Sequence, residues 1–505
     1  MYDLIITNGR VISPESSSYK DIAIKDGKIA AIADRGKLDP EECKGAEVYS
    51  AEGKCVIPGL VEPHVHIKAP LGGITDIMDF DSASVCGAFG GVTTIMDFTS
   101  TLPGDSLEYA VDFRLDEMKI TKQDYATHCK VVNLASAQLL AEAAMANAKA
   151  QMTGSEEDKK AAAEADARVE EAVNARLAEI PHIVKDRGIP TFKLFMTYRK
   201  ANVMIDDTYM LKVMKAVKDA GGRTGFHAES NAIAEYNEEL FAREGKLDWK
   251  YFPEYKGNVC EAEAVARVLR YAEMLDAPIY FFHITTKEAV EMIRDAKKRG
   301  VDVIAETCSH YLTLTKKWNE DPETGYLFLM SPPLRSQEDQ DALWEGLRDG
   351  TLSLVSSDNC SFTRKQKTDP LKGGPNDFRK PISGVSGIEE RFGLMSRAVA
   401  LGKITENEFV KLVCENPAKI FGCYPQKGTL TVGSDADVCV FDPDRKFRLS
   451  VENLHYPECL DYAVYDQFEA AWKPVATIRR GEFLMKDEVF NDKVSFGKEL
   501  KRYLK

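Results

Sequence analysis

Two histidines one residue apart, His64 and His66, close the apolar run Val56-Ile-Pro-Gly-Leu-Val-Glu-Pro-His-Val-His66. On an extended strand, residues i and i+2 project from the same face. Both imidazoles can therefore reach one metal ion at the strand's end. A lone pair of this kind is weak evidence, but the chain holds only eight histidines, and His227 and His283 close two further strand-like runs. Lys193 lies in Phe192-Lys-Leu-Phe-Met-Thr-Tyr198, and Asp358 in Val355-Ser-Ser-Asp-Asn-Cys360. A lysine set among Phe192, Leu194 and Phe195 is costly to bury as a cation, so its pKa should fall and leave a neutral amine. Such an amine reacts with carbon dioxide to give a carbamate, an anionic two-oxygen ligand able to bridge two metals. The plainer readings are a lysine that snorkels to solvent and histidines that are satisfied core residues.

These residues need a scaffold that gathers strand ends. Strand-like runs at Val92–Asp97, Thr191–Met196, Thr224–His227, Ile279–His283, Val301–Glu306 and Leu352–Ser357 alternate with helical patterns at Asp207–Ala220, Glu261–Leu275 and Thr286–Arg299. Alternation of this kind implies parallel βαβ units. The length and count favour an α/β fold in the form of a closed (β/α)8 TIM-like barrel, and no G-x-G-x-x-G follows a strand to favour a dinucleotide fold. Barrel chemistry gathers at the C-terminal ends of the strands, where His64, His66, Lys193, His227, His283 and Asp358 all fall. Both ends of the chain have a different texture. Short strands are expected at Asp3–Thr7, Val11–Ile12, Asp21–Ile24 and Ile29–Ala33, with a hairpin signal at Asp26-Gly27. Strands return at Thr429–Val432, Ala436–Phe441 and Val475–Arg480. One small β-sandwich domain built from both termini accounts for this, although two unrelated extensions would also do so. The expected division is 1–55 and 426–485 for the sandwich, 56–425 for the barrel and 486–505 for a C-terminal tail. Within the barrel, 135–179 is rich in Ala, Glu and Lys and reads as a helical hairpin turning at Thr153-Gly154. It is either a lid or subunit contact, or a tolerated surface insertion.

A formal charge of −14 argues against a nucleic-acid or anionic-membrane partner. The eleven cysteines show no paired spacing and read as reduced thiols. No apolar stretch approaches the roughly 20 residues of a membrane span, and the opening residues lack a leader pattern. A cytoplasmic protein is expected.

The ordered set H-x-H, F-K-x-F-M-x-Y, H-A-E, F-H-x-T and S-D-N-C resembles the amidohydrolase superfamily, and within it the dihydropyrimidinase and D-hydantoinase branch. Phe89-Gly-Gly-Val-Thr-Thr-Ile-Met-Asp-Phe98, Glu306-Thr-Cys-Ser-His-Tyr-Leu312, Met330-Ser-Pro-Pro-Leu-Arg335 and Gly387-Ile-Glu-Glu-Arg391 add to the likeness, which spans nearly the whole chain outside 135–179 and the last twenty or so residues. The resemblance implies two divalent metal ions, zinc being the expected one. His64, His66 and Asp358 would hold one, and His227 and His283 the other. Lys193, carboxylated by carbon dioxide, would bridge them together with a hydroxide, at a separation of about 3.5–4 Å. Asp358 would take the hydroxide's proton and pass it to the leaving ring nitrogen, and Tyr198 would donate a hydrogen bond to the tetrahedral oxyanion. Ser331 matches the position that hydrogen-bonds the ring amide. The implied partner is a small cyclic amide, and the implied assembly a homo-oligomer, tetramer or dimer.

Some positions depart from the family pattern. Ser383 stands where an Asn usually offers its main-chain carbonyl to the substrate. Lys68 makes the opening motif H-x-H-x-K, where typical dihydropyrimidinases carry an uncharged residue, while allantoinases and dihydroorotases carry Arg. A lysine there is either a substrate contact or a residue paired with Asp76 or Asp79, or solvated. His310 lies where related enzymes have Gln and is not counted as a ligand. The resulting reading is a binuclear metal-dependent amidase that opens dihydropyrimidine or hydantoin rings. Its rivals are an allantoinase-like or imidase activity on a more polar ring, and a non-catalytic scaffold of the dihydropyrimidinase-related kind.

Overall fold

The computed structural model describes residues 1–71, 73–368, 377–379 and 382–504. Eight parallel strands, Leu60–Val65, Val92–Phe98, Asp124–Lys130, Thr191–Phe195, Arg223–His227, Ile279–Phe281, Val303–Cys308 and Leu354–Ser356, pair in chain order. A parallel bridge between Val65 and Asn359 brings the last strand back to the first, and the His66 amide donates to the Asn359 carbonyl at 2.9 Å. Arg391 helps to close this seam. Its guanidinium is fully buried, donates to the carbonyls of Val61 and Val355, and pairs with Glu62 at 3.0 Å. Each strand is followed by helix, as the alternating pattern requires. The helix Asp207–Ala220 falls where its periodicity puts it, capped by Asp206 and ended by Gly221 at φ 86°, with Met210, Val213, Met214 and Val217 inward.

The third strand, Asp124–Lys130, is absent from the expected runs, and polar Asp124, Thr127 and His128 are buried in it. The expected strands Asp3–Thr7 and Val11–Ile12 are one strand, Leu4–Ile12, and two others change. The sixth ends at Phe281 because His283 adopts φ 39°, outside the extended region. Thr429–Val432 forms no strand, since Ser434 folds back on the Thr429 and Thr431 carbonyls.

Both termini meet in one mixed nine-stranded sheet, where Val438–Asp442 lies antiparallel to Cys55–Pro58. Leu4, Ile6, Ile22 and Ile24 share a core with Val438, Val440, Ala476 and Ile478. The expected hairpin turns at Asp26-Gly27, both at positive φ. Buried Lys427 fastens this sheet to the barrel, reaching Asp124 at 2.5 Å and Asp437 at 2.8 Å. The tail is built in as well: Arg502 is fully buried and donates to the Thr127 carbonyl, and a Cβ on Gly497 would overlap the Gln123 carbonyl.

The helical hairpin runs Ala137–Thr153 and Glu156–Lys185, turning at Gly154 with φ 64°. It is not all insertion. Val173, Ile180, Ile183 and Val184 of the second helix are buried in the main core, so its last turns serve as the barrel helix before the fourth strand. All eleven cysteines are unpaired. Among the described residues, no helix is long and apolar enough to cross a membrane.

Candidate active site

The first strand and the residue after it present His64 and His66, the fourth Lys193, the fifth His227, the residue group after the sixth His283, and the turn after the eighth Asp358. The Asp358 carboxylate lies 3.0 Å from His64 Nε2 and 3.2 Å from His66 Nε2. Lys193 Nζ lies 3.0 Å from the same His64 nitrogen. Ligand atoms of His64, His283 and Asp358 all fall within 4.8 Å of one another, and the rings of His227 and His283 meet at 4.6 Å. The strand ends thus bring together all six residues singled out as ligands. Three residues of the site, Tyr198, His283 and Asp358, hold positive φ of 69°, 39° and 47°, backbone strain of the sort that clusters at functional sites.

Electrostatics follow from burial. Lys193 Nζ faces the rings of Phe98, Phe282 and Phe195 at 4.1, 4.6 and 5.1 Å, and burial pushes its pKa down to about 8. Burial also lowers His66 to about 3 and His283 well below the usual imidazole range, so both are neutral near pH 7, as a metal ligand must be. At His64, burial and Lys193 oppose protonation, and Asp358 with Glu306 outweigh them. For Asp358, burial disfavours the anion, yet His64 and His66 hold its pKa well down.

A further layer orients these groups. Fully buried Glu306 accepts from His64 Nδ1 at 2.5 Å, from the Tyr280 hydroxyl at 2.5 Å and from the His283 amide at 3.3 Å. A carboxylate only accepts, so the proton sits on Nδ1 and Nε2 points into the cluster. Glu229 does the same for His227 by receiving Nε2 at 2.6 Å, which leaves Nδ1 for the site. Carboxylate–histidine pairing of this kind orients metal ligands. His283 Nδ1 is buried with no hydrogen-bond partner, an expense that a bound cation removes. The donor set of imidazole nitrogens and one carboxylate suits zinc-type ions, so these residues fit a metal centre.

Of the remaining expected residues, Tyr198 and Ser331 stand together: buried Lys256 donates to the Ser331 hydroxyl at 2.6 Å and to the Tyr198 hydroxyl at 3.4 Å. Ser383 lies beside Gly384, whose amide donates to the Leu329 carbonyl. Lys68 is about half exposed and pairs with Glu117 at 3.1 Å, not with Asp76 or Asp79. His310 is buried with both ring nitrogens unpartnered, near Cys308 and Asp358. Glu306, Glu229 and Lys256 are functional residues without a role in the motifs above. H-x-E spacing was a signal for Glu229; Lys256, 27 residues further on, carried none.

A parallel barrel that collects buried imidazoles, a lysine and a carboxylate at its strand ends is the framework of a metal-assisted hydrolase. The amidohydrolase family model matches residues 55–484. The chain is 35% identical to a D-hydantoinase of Ralstonia pickettii over 503 residues, covering 99% of each. It is 32% identical to one of Geobacillus stearothermophilus, covering 99% of this chain and 96% of the relative. It superposes on the crystal structure of a dihydropyrimidinase from Brevibacillus agri with a TM-score of 0.86 at 30% identity, covering 100% of this chain and 99% of the other. The chain belongs to the amidohydrolase family, in the group of D-hydantoinases and dihydropyrimidinases.

Proposed function

We propose that this protein is a cyclic amidase of the dihydropyrimidinase and hydantoinase type, which adds water across a ring amide and cleaves its C–N bond. The observation that carries the reading is the convergence of His64, His66 and His283 on Asp358 and Lys193, in a chain alike over its full length to D-hydantoinases. His64, His66 and Asp358 would hold one divalent ion and His227 and His283 a second, with carboxylated Lys193 between them. Two such ions, zinc being our choice, supply a strong nucleophile from water at neutral pH and polarise the ring carbonyl.

The chain's own residues do the rest. Low-dielectric burial keeps Lys193 poised to lose its proton and take up carbon dioxide. Asp358 accepts the proton released as water attacks the carbonyl carbon and returns it to the ring nitrogen as the C–N bond breaks. Tyr198 donates to the carbonyl oxygen as negative charge develops there. Ser331 and Ser383 hold the ring amide through their main chain; the Ser331 hydroxyl is already engaged by Lys256 and Glu229.

Pairing of Lys68 with Glu117 favours an uncharged ring over the more polar one of an allantoinase-like enzyme. A complete set of candidate ligands argues against a scaffold that has lost its chemistry. We further propose the division into a sandwich of 1–55 and 426–485, a barrel of 56–425 and a tail of 486–505, a homo-oligomeric assembly and a cytoplasmic location. The test is a panel of dihydrouracil, hydantoin, allantoin, dihydroorotate and succinimide. Ring opening of the first two is expected; activity confined to allantoin, dihydroorotate or succinimide would overturn the substrate assignment.

A further inference from the structure

Lys256 is 2% exposed and lies in the wall of the site, at the end of the short helix Phe252–Tyr255. Its ammonium has three acceptors: Glu229 Oε2 at 2.6 Å, Ser331 Oγ at 2.6 Å and the Tyr198 hydroxyl at 3.4 Å. Nζ also stands 4.6 Å from the centroid of the Tyr198 ring. The residue is pinned at its other end, where Arg335 Nη1 donates to the Lys256 carbonyl and Arg335 Nε to Thr285 Oγ1.

An ammonium donates and cannot accept, so every one of these contacts runs in one direction. The Ser331 hydroxyl, receiving Lys256, passes its own hydrogen to Glu229 at 3.1 Å. The Tyr198 oxygen must offer Lys256 a lone pair, so its single hydrogen points away from the ammonium. A tyrosine without such a cation could equally turn its hydrogen toward the wall and present a lone pair to the substrate, where it would repel a developing oxyanion. Positive charge beside the phenol also strengthens it as a donor.

We infer that Lys256 is a positioning residue, which fixes Tyr198 as a hydrogen-bond donor toward the substrate carbonyl. Glu229, bonded to Lys256, also receives His227 Nε2, a contact made without Lys256. The inference rests on the cyclic-amidase reading above and on the oxyanion role of Tyr198 in it.

A double-mutant cycle on the metal-loaded enzyme tests it. Lys256→Met is expected to lower kcat for dihydrouracil about tenfold or more with KM and metal content unchanged, since a misdirected oxyanion donor acts on the transition state. In a Tyr198→Phe background the same substitution should cost less than about threefold, because coupled residues are non-additive. Equal losses in both backgrounds, or lost metal, would overturn the inference and make Lys256 a structural ion-pair partner. If Lys256→Met leaves Glu229 bare and does not fold, Lys256→Met with Glu229→Gln is compared with Glu229→Gln alone in both Tyr198 backgrounds, and the same pattern is required. Failure of the unaltered enzyme to open any ring of the panel would instead refute the cyclic-amidase reading itself.

Discussion

Glu306→Gln isolates the charge that orients His64. The side chain is fully buried and receives three donors, two of them from candidate ligand residues: His64 Nδ1 at 2.5 Å and the His283 amide at 3.3 Å. Glutamine has the same shape, its oxygen can still accept from both, and its amide nitrogen can face the Tyr280 hydroxyl. The charge is lost, and with it the acceptor for the Tyr280 hydroxyl, which belongs to no candidate ligand. Charge-assisted hydrogen bonds contribute about 1.5–3 kcal/mol and are about twice as strong as neutral ones. Halving two of them removes about 1.5–3 kcal/mol, which is roughly a 10–150-fold loss of metal affinity. That range overlaps the ~10–100-fold seen when the partner of a ligating histidine is changed. The assay is a competition titration of metal against a chelator, with kcat/KM measured on fully loaded enzyme. Metal affinity within about threefold of the unaltered protein would refute the reasoning, because His64 would then hold its tautomer and direction without Glu306.

Four further outcomes are expected. Lys193→Ala should lose most bound metal and nearly all turnover, with partial recovery on adding short-chain carboxylates or bicarbonate; two metals retained with normal activity would remove Lys193 from the site. Lys68→Gln should change kcat/KM for dihydrouracil and dihydroorotate alike by less than about threefold, as its exposed pairing with Glu117 suggests; a tenfold loss limited to the carboxylated ring would set Lys68 against the substrate. Replacing residues 144–165, the tip of the hairpin beyond its core contacts, with a short Gly/Ser linker should leave kcat within about threefold, and size-exclusion chromatography reads any change of assembly. Lys427→Met should destabilise the protein by about 3–5 kcal/mol, read as a lower Tm, since it removes the ammonium shared by Asp124, Asp435 and Asp437 and leaves Asp124 only Arg480 at 3.4 Å; an unchanged Tm would mean that the sheet and barrel do not depend on this cluster.

The candidate ligands were legible because five of them close or shortly follow apolar strands and Lys193 lies within one, and a parallel barrel makes such strands neighbours. The helix Asp207–Ala220 and the Asp26-Gly27 hairpin were legible for local reasons, cap residues and a turn that needs positive φ. Asp124–Lys130 was not, because its buried polar side chains are satisfied by distant partners: Asp124 by Lys427, and His128 by Thr191 and the Pro63 carbonyl. Glu306 and Arg391 were hidden for the same reason. Glu306 meets His64 across 242 positions, and Arg391 spans 330 to reach Val61, separations at which no local spacing carries a signal. The hairpin was legible as helices, but not the burial of Ile180, Ile183 and Val184, which makes its final turns part of the barrel.

The central claim is that two ions held by these residues support cyclic-amide hydrolysis. The most direct measurement removes metal with a chelator and restores zinc stepwise, recording dihydrouracil and hydantoin opening together with bound metal per chain. No turnover is expected without metal, and activity should rise with occupancy to two ions per chain. Full activity in the metal-free protein, or no ring opening with two ions bound, would contradict it.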